Sequence, residues 1–378
     1  MSRARDIADL SSVSARLDTV GGSEGALSNR NLIINGSGQV YQRGSGSIVA
    51  SGSVFGVDRF SFNTANMDNI AGTFTQDGDS PDGFGNSIKA TITTAESVIA
   101  ADEYAYITQL VEAQNLQQLA YGTSSAKQVT LSFYVKSSVT GTFAVGLYKP
   151  DNTAQIHNLT YTINSASTWE YKTLTFAANT LSGGAINDDN GVGFYVNWHL
   201  AAGSDYKGGG ATSGWTSYAN NTWADGHVTD TVITTTNATF QLTGVQLEVG
   251  DTATPFEHRS YGDELQRCQR YYYQWVDGAG QNMGSGGYYN SSLFVTTVDF
   301  PVTMRAVPTG SFTTGTDWYR IWRNGTFDDV SLVGSAIVNA SAKGTAIDIT
   351  GGVSGTAGHA GRILSLVSSA RFSFDAEL

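Results

Sequence analysis

Only one cysteine, Cys268, occurs in the 378 residues, so no intrachain disulfide can form and the chain can mature in a reducing cytoplasm. No run of roughly 18 apolar residues is present to span a bilayer, and the opening Met1-Ser-Arg-Ala-Arg-Asp6 lacks the apolar stretch of a signal peptide. Neither membrane insertion nor secretion is therefore expected. Charged residues make up only 14% of the chain, and no lysine or arginine block interrupts a net charge of −12. The electrostatic attraction that draws proteins to phosphate backbones is missing, which excludes nucleic acid as an expected partner. The five histidines, His157, His199, His227, His258 and His359, show no zinc spacing, and neither a metal site nor another cofactor is expected from them.

What is plentiful is glycine, serine, threonine and aromatic residues, a balance that favours strands and turns over helices. Ile7, Leu10, Ser14 and Leu17 stand at heptad spacing within residues 3–18 and read as a short amphipathic helix, followed by a flexible Gly21-Gly-Ser-Glu-Gly25 linker. The helix serves either as a frayed end docked on its own domain or as a docking or trimerising segment. From residue 31 to 258 short alternating strands are separated by Gly, Asn, Asp and Ser clusters. Val129, Leu131, Phe133 and Val135 form one such series, and Val192, Phe194, Val196 and Trp198 another. Between Ala238 and Gly250 the apolar phase changes at Gly244, the mark of a β-bulge. Eight to ten strands over this length predict a mainly β fold, a jelly-roll-like antiparallel sandwich. A capping signature at Ser260-Tyr-Gly-Asp263 opens a helix to about Tyr273, with Leu265, Cys268 and Tyr272 on one stripe and Cys268 expected as a buried small hydrophobe. Residues 276–378 form a smaller C-terminal β domain, with a hairpin turning at Asn324-Gly325 and a closing strand pair within Arg362–Leu378. The expected division is thus 1–30, 31–258, the linker helix 259–275, and 276–378.

Four patterns in shared order resemble tailed-phage structural proteins, cyanophage ones among them, known as tail-fibre or carbohydrate-binding-domain proteins. They are Asn31-Leu-Ile-Ile-Asn-Gly36 with Gln39-Val-Tyr-Gln-Arg-Gly44, Val57-Asp-Arg-Phe60, Thr243-Gly-Val-Gln-Leu-Glu-Val-Gly250 with Ala253-Thr-Pro-Phe-Glu257, and Asp263-Glu-Leu-Gln-Arg-Cys-Gln-Arg-Tyr-Tyr272. Phe300-Pro-Val-Thr-Met-Arg305 and Phe374-Asp-Ala-Glu-Leu378 also look like parts of these proteins. The resemblance implies a virion component with a sandwich similar to carbohydrate-binding modules, commonly a homotrimer, made in the host cytoplasm and carried on the particle surface. It implies no catalytic residues.

The long polar loop between His199 and Asp230 is the first candidate binding site. It carries Tyr206, Trp215, Tyr218 and Trp223, whose rings can pack on the C–H faces of sugars. Trp318 and Trp322 of the C-terminal domain are the second candidate, set against a reading of that aromatic series as core and subunit interface. The Asp188-Asp189 pair supplies oxygens of the kind calcium takes, although adjacent acids in Ile186-Asn-Asp-Asp-Asn-Gly191 more often make a solvated turn. The Gly-x-Ser-x-Gly string at 21–25 lacks the strand and helix of a nucleophile elbow, so no catalytic residue is assigned. The expected function is a non-enzymatic tail fibre that binds host-surface polysaccharide and packs on other virion proteins. The rivals are a purely structural particle protein and a polysaccharide depolymerase.

Overall fold

Val129, Leu131, Phe133 and Val135 are fully buried while Tyr134 and Lys136 stay partly exposed, the alternation of a strand lying on a core. The same rule builds the rest of the chain. The computed structural model describes residues 29–332 and 334–378. The N-terminal helix and linker expected before residue 29, with the Gly-x-Ser-x-Gly string and the docking or trimerising role, lie outside the described residues. The chain divides into two units, the first running to Tyr261 and the second from Gly262 to Leu378.

The first unit is a sandwich of two antiparallel sheets. The six-stranded sheet has the order β1 (Gly46–Ile48), β4 (Ala71–Asp77), β5 (Ser87–Thr94), β13 (Thr239–Val249), β7 (Val129–Ser137), β10 (Glu170–Phe176). The seven-stranded sheet has the order β12 (Thr216–Ser217), β9 (Gln155–Ile163), β8 (Gly141–Lys149), β11 (Val192–Ala202), β6 (Tyr104–Glu112), β3 (Phe60–Ala65), β2 (Gly52–Phe55). The chain passes repeatedly from one sheet to the other, as in a jelly roll. Its core is closed by rings from both layers: Trp198 of β11 lies 5.9 Å from Phe133 of β7 and 6.3 Å from Phe60 of β3, centre to centre. Thirteen strands form where alternation indicated eight to ten. The surplus is the short edge strands β1, β2 and β12, of two to four residues each, too brief to show a period.

The bulge read at Gly244 is present. Phe240 and Leu242 are buried before it, Val245 and Leu247 after it, and the β13–β7 register shifts between Thr243 and Gln246. Gly244 has φ +60°, and a Cβ there would stand 2.7 Å from the Phe84 ring, so backbone and space both require glycine.

Helix α1 spans Tyr261–Gln269 and, from Gly262 on, belongs to the second unit, with Asp263 and Glu264 in its first turn and Arg267 in its last, and Cys268 fully buried. The helix is shorter than expected. Tyr272, placed on its stripe by spacing, instead opens the strand Tyr272–Asp277, whose pairing with Arg371–Asp375 claims the backbone. That pair and Thr309–Phe312 form a three-stranded sheet, and a second, seven-stranded sheet contains the hairpin of Tyr319–Arg323 and Thr326–Val330. Asn324 and Gly325 turn it with φ +39° and +75°, the two positive values of a type I′ turn. The closing strands Ala360–Ser365 and Arg371–Asp375 do not pair with each other. The bend between them passes the chain from one sheet to the other, and period-2 patterning does not encode partners. No helix among the described residues is long and apolar enough to cross a membrane.

Candidate functional site

The outward face of the seven-stranded sheet is set by four alternations. In β6, Ala105 and Ile107 point to the core, so Tyr104, Tyr106 and Thr108 point out; in β11, Phe194, Val196 and Trp198 point in, leaving Tyr195, Asn197 and His199 outside. In β8, Tyr148 faces out beyond Leu147, and in β3, Ser61 and Asn63 do so between Phe60 and the strand end. Register then places these positions side by side: Asn63 opposite Tyr106, Tyr106 opposite His199, and Tyr195 opposite Tyr148. Four tyrosines thus share one face.

Residues 203–227 fold back over one end of this face. They are not the structureless loop that composition suggests, since short 3-10 turns and β12 order them and the backbone pairs internally, Gly209 N–H to Asn221 O at 2.9 Å and Ala224 N–H to Tyr206 O at 2.9 Å. The Asp225 carboxylate accepts from the backbone N–H of Gly208 and Thr212. Asn158 of β9 donates to Thr222 O at 2.8 Å, tying the segment to the sheet. Trp223 is set into the tyrosine face, 5.4 Å from Tyr106, 5.4 Å from Tyr148, 5.9 Å from Tyr218 and 6.4 Å from Tyr104. Tyr206 closes edge-on against Tyr104 at 4.8 Å. Gly146 makes room beneath, for a Cβ there would fall 2.5 Å from Asn158 Oδ1 and 3.3 Å from His199 Nε2.

The hydroxyls of Tyr104, Tyr106, Tyr148, Tyr195, Tyr206 and Tyr218 have no hydrogen-bond partner among the described residues. Elsewhere Tyr41, Tyr272, Tyr288 and Tyr319 each hold one, whereas the buried hydroxyls of Tyr121 and Tyr161 hold none among the described residues. Burial raises the pKa of all six, most of all Tyr106, so each remains a neutral donor and acceptor at physiological pH. Asn197 adds a fully buried amide: its Oδ1 accepts from Thr108 Oγ1 at 2.7 Å, and its Nδ2 has no partner among the described residues. His199 is fully buried, and burial, aided by neighbouring His227, drives its pKa far below the ordinary value. Its ring is neutral.

Of the side chains singled out from sequence, Tyr206, Tyr218 and Trp223 are brought together, with Trp223 only 8% exposed and serving as the hub. Trp215 goes elsewhere, onto the core side of the sheet, where it stacks on Phe194 at 6.2 Å and donates from Nε1 to Ala177 O at 2.7 Å. Trp318 covers Gly315 and packs on the second unit's core. Trp322 is exposed beside Phe327, with the Arg320 guanidinium 3.8 Å above the Phe327 ring. Tyr104, Tyr106, Tyr148 and Tyr195 escaped the sequence reading. Their signal was tyrosine on the polar phase of three strands, where serine or threonine is the ordinary occupant.

Asp188 and Asp189 are exposed, and Asp189 Oδ1 accepts from Gly191 N–H at 2.8 Å, which is the solvated turn. A different trio, Asp68, Glu96 and Glu103, brings carboxylate oxygens within 4.8 Å of one another, an oxygen set of the type hard divalent cations prefer. Glu96 is committed to the backbone N–H groups of Asp68, Asn69 and Ser97. Glu103 is 1% exposed, and burial, reinforced by Glu96, Asp68 and Asp102, raises its pKa. A raised carboxyl pKa favours the folded state below the unfolded pKa, and that contribution is lost as pH rises through the folded value. Glu103→Gln is therefore expected to raise the melting temperature by a few degrees at pH 7 in EDTA and to change it little at pH 4, as read by calorimetry. An equal shift at both pH values would show that charge is not the cause.

No protein-family model matches the sequence, and no curated protein is significantly similar to it. Several solved structures are similar to part of the chain. The enzymatically active domain of bacteriophage CBA120 tailspike protein 4 has 15% identity over 58% of this chain and 21% of its own, with a TM-score of 0.33. The chain spans about a fifth of that tailspike chain. The family 11 carbohydrate-binding module from Clostridium thermocellum, in complex with a β-1,3-1,4-mixed-linked tetrasaccharide, has 12% identity over 57% of this chain and 98% of its own, TM-score 0.27. The CBM22-1 xylan-binding domain of Xyn10C from Paenibacillus barcinonensis has 9% identity over 61% and 97%, TM-score 0.27.

Proposed function

We propose that the protein is a non-enzymatic glycan-binding component of a tailed-phage particle, which holds host-surface polysaccharide on the tyrosine face of its first unit. The observation that carries this is the convergence of six tyrosines and Trp223 on one face, with all six hydroxyls lacking partners among the described residues. Rings supply the flat apolar surface that sugar C–H faces need, and unpartnered phenols supply both donors and acceptors for sugar hydroxyls. None of the six hydroxyls is among the fully buried ones, so each can exchange water for a sugar hydroxyl without rearrangement of the protein. The resemblance of residues 31–275 to tailed-phage appendage proteins supports a place on the virion surface. Three copies in a homotrimer would turn weak sites into firm attachment through high local concentration.

The test is binding of the intact protein to host cells and to a glycan array, for wild type and for Tyr104→Ala/Tyr195→Ala. Both rings stand partly exposed on the sheet face, so circular dichroism and melting should change little. A loss of at least about tenfold in affinity is expected, on the order of 1.5 kcal/mol. Unchanged binding would move the protein to a purely structural role in the particle, and release of reducing ends from a bound polysaccharide would make it a depolymerase. A native mass of one chain would remove the trimer.

A further inference from the structure

We infer that the tyrosine face takes an uncharged glycan and turns away polysaccharides carrying carboxylate, sulfate or phosphate groups. The inference rests on the glycan-binding reading and names the class of ligand for that same site.

The side chains that line the face are phenols, amides and hydroxyls. Within residues 199–230, which supply Tyr206, Tyr218 and Trp223, Lys207 is the one lysine or arginine, and its Nζ lies 3.7 Å from Asp230 Oδ2. Asp230 is shared with His227, whose Nε2 stands 3.2 Å from Oδ1. His199 offers no positive charge either, because its buried ring is neutral. Residues 199–230 thus bring no unpaired cation to the face.

Acids, by contrast, border one end of it. The Asp205 N–H donates to Ala101 O at 3.0 Å and the Gly203 N–H to Glu103 O at 2.7 Å, so the turn carrying Tyr206 lies along the turn that leads into β6. Asp102 and Asp205 therefore both stand exposed beside Tyr206, and their charges contribute to the raised pKa of its phenol. Glu103 continues the border inward, with Glu96 and Asp68 within the same cluster. Asp102 is braced by Asn66, whose Nδ2 donates to its backbone O at 3.0 Å and to Oδ2 at 3.2 Å, an amide that leaves its charge uncompensated. A ligand anion placed beside Tyr206 would meet the charges of Asp102 and Asp205, which already act on that phenol and are screened only over about 8–10 Å at ordinary ionic strength. Ring packing is indifferent to ligand charge; a phenol donates more strongly to an anionic oxygen than to a sugar hydroxyl, and the bordering acids act against that gain. Among residues 199–230 the one cation, Lys207, is already paired with Asp230, so the repulsion appears as discrimination.

The experiment uses the intact protein and isothermal titration against matched pairs: dextran with dextran sulfate, and hyaluronate and the host's own surface polysaccharide, each before and after chemical reduction of its carboxylates to neutral alcohols. Binding to at least one neutral member is expected, with its anionic partner at least about tenfold weaker at roughly 0.02 M salt and the gap narrowing at roughly 0.5 M. In Asp102→Asn/Asp205→Asn the low-salt gap should shrink to about threefold or less while affinity for the neutral polymer holds. Wild-type protein that binds an anionic polymer as tightly as its neutral partner overturns the inference and leaves the glycan site standing. So does an unchanged gap in the double variant. Failure to bind any polymer, with Tyr104→Ala/Tyr195→Ala equal to wild type on host cells, removes the glycan reading and the inference with it.

Discussion

Replacing Trp223 with alanine is expected to destabilise the first unit by about 3 kcal/mol and to abolish measurable glycan binding, even at temperatures where the variant is fully folded. The indole is 8% exposed and touches Tyr104, Tyr106, Tyr148, Tyr218 and His199, so its loss opens a cavity that five rings would have to close. Those rings are fixed by different elements: Tyr104 and Tyr106 by β6, Tyr148 by β8, His199 by β11, and Tyr218 by its N–H bond to Ala154 O at 2.9 Å. Collapse toward the gap would pull them out of line, because strands in register cannot follow a side chain by more than a fraction of an ångström. Urea unfolding gives the stability change, and titration of the best ligand gives the binding loss. Trp223→Phe should recover part of both, since a smaller ring refills part of the space. A stability loss below about 1 kcal/mol for Trp223→Ala would mean that residues 203–227 hold their place without the indole.

Lys149→Met is expected to be the more damaging change, costing about 3–5 kcal/mol. Lys149 ends β8 with no exposed surface, and its ammonium donates to the carbonyl oxygens of Asp151, Thr153 (3.0 Å), Gly183 (2.9 Å) and Ala185 (3.4 Å). These acceptors come from two loops, residues 150–154 after β8 and 177–191 before β11, which are joined also by bonds such as Asn152 Nδ2 to Ala185 O at 2.7 Å and Asn187 N–H to Asp151 Oδ2 at 3.0 Å. Methionine fills the volume but removes the charged donor: Gly183 O keeps the Thr153 N–H and Ala185 O keeps Asn152 Nδ2, whereas the Asp151 and Thr153 carbonyls lose the ammonium, and an acceptor left buried and unpaired costs on the order of 1–3 kcal/mol. The titration of Lys149 supplies a second readout. Burial lowers its pKa to about 8, opposed by the nearby Asp151 carboxylate. A base with a lowered folded pKa loses stability as pH falls through that value and regains it toward the unfolded pKa near 10.4, so the wild type should gain stability from pH 8 to 10 relative to Lys149→Met. Parallel stability profiles for the two proteins would show that Lys149 does not titrate in this range. Tyr148 precedes Lys149 and Ala154 O holds Tyr218, so loosening these loops should also weaken the tyrosine face.

Much of the fold is readable along the chain. The alternation of Phe194, Val196 and Trp198 in β11, the phase change at Gly244 and the Asn324-Gly325 turn are local: each follows from the geometry of adjacent residues, so each shows in a few letters. Cys268 was legible for a similar reason, as a small apolar group on the inner stripe of a helix. The end of that helix was not, because Tyr272 obeys a strand about a hundred residues onward, at Asp375. The aromatic loop after β11 was legible as a place of interest, yet its four rings were divided by the fold. Trp215 and Trp223, eight residues apart, lie on opposite faces of the seven-stranded sheet.

By itself, then, the sequence determined strand content, the bulge, the hairpin turn, and the acidic, cation-poor character of the molecule, since these depend on residue type and on neighbours within a turn or strand. The tertiary structure alone decided the site. An outward position reads the same whether it faces open water or joins an aromatic face, and the order β8, β11, β6, β3 is what sets Tyr148 beside Tyr195, and Asn63, Tyr106 and His199 abreast, from distant parts of the chain. That order comes from which strands pair across long loops, and pairing is fixed by the burial of whole faces against one another rather than by any local pattern.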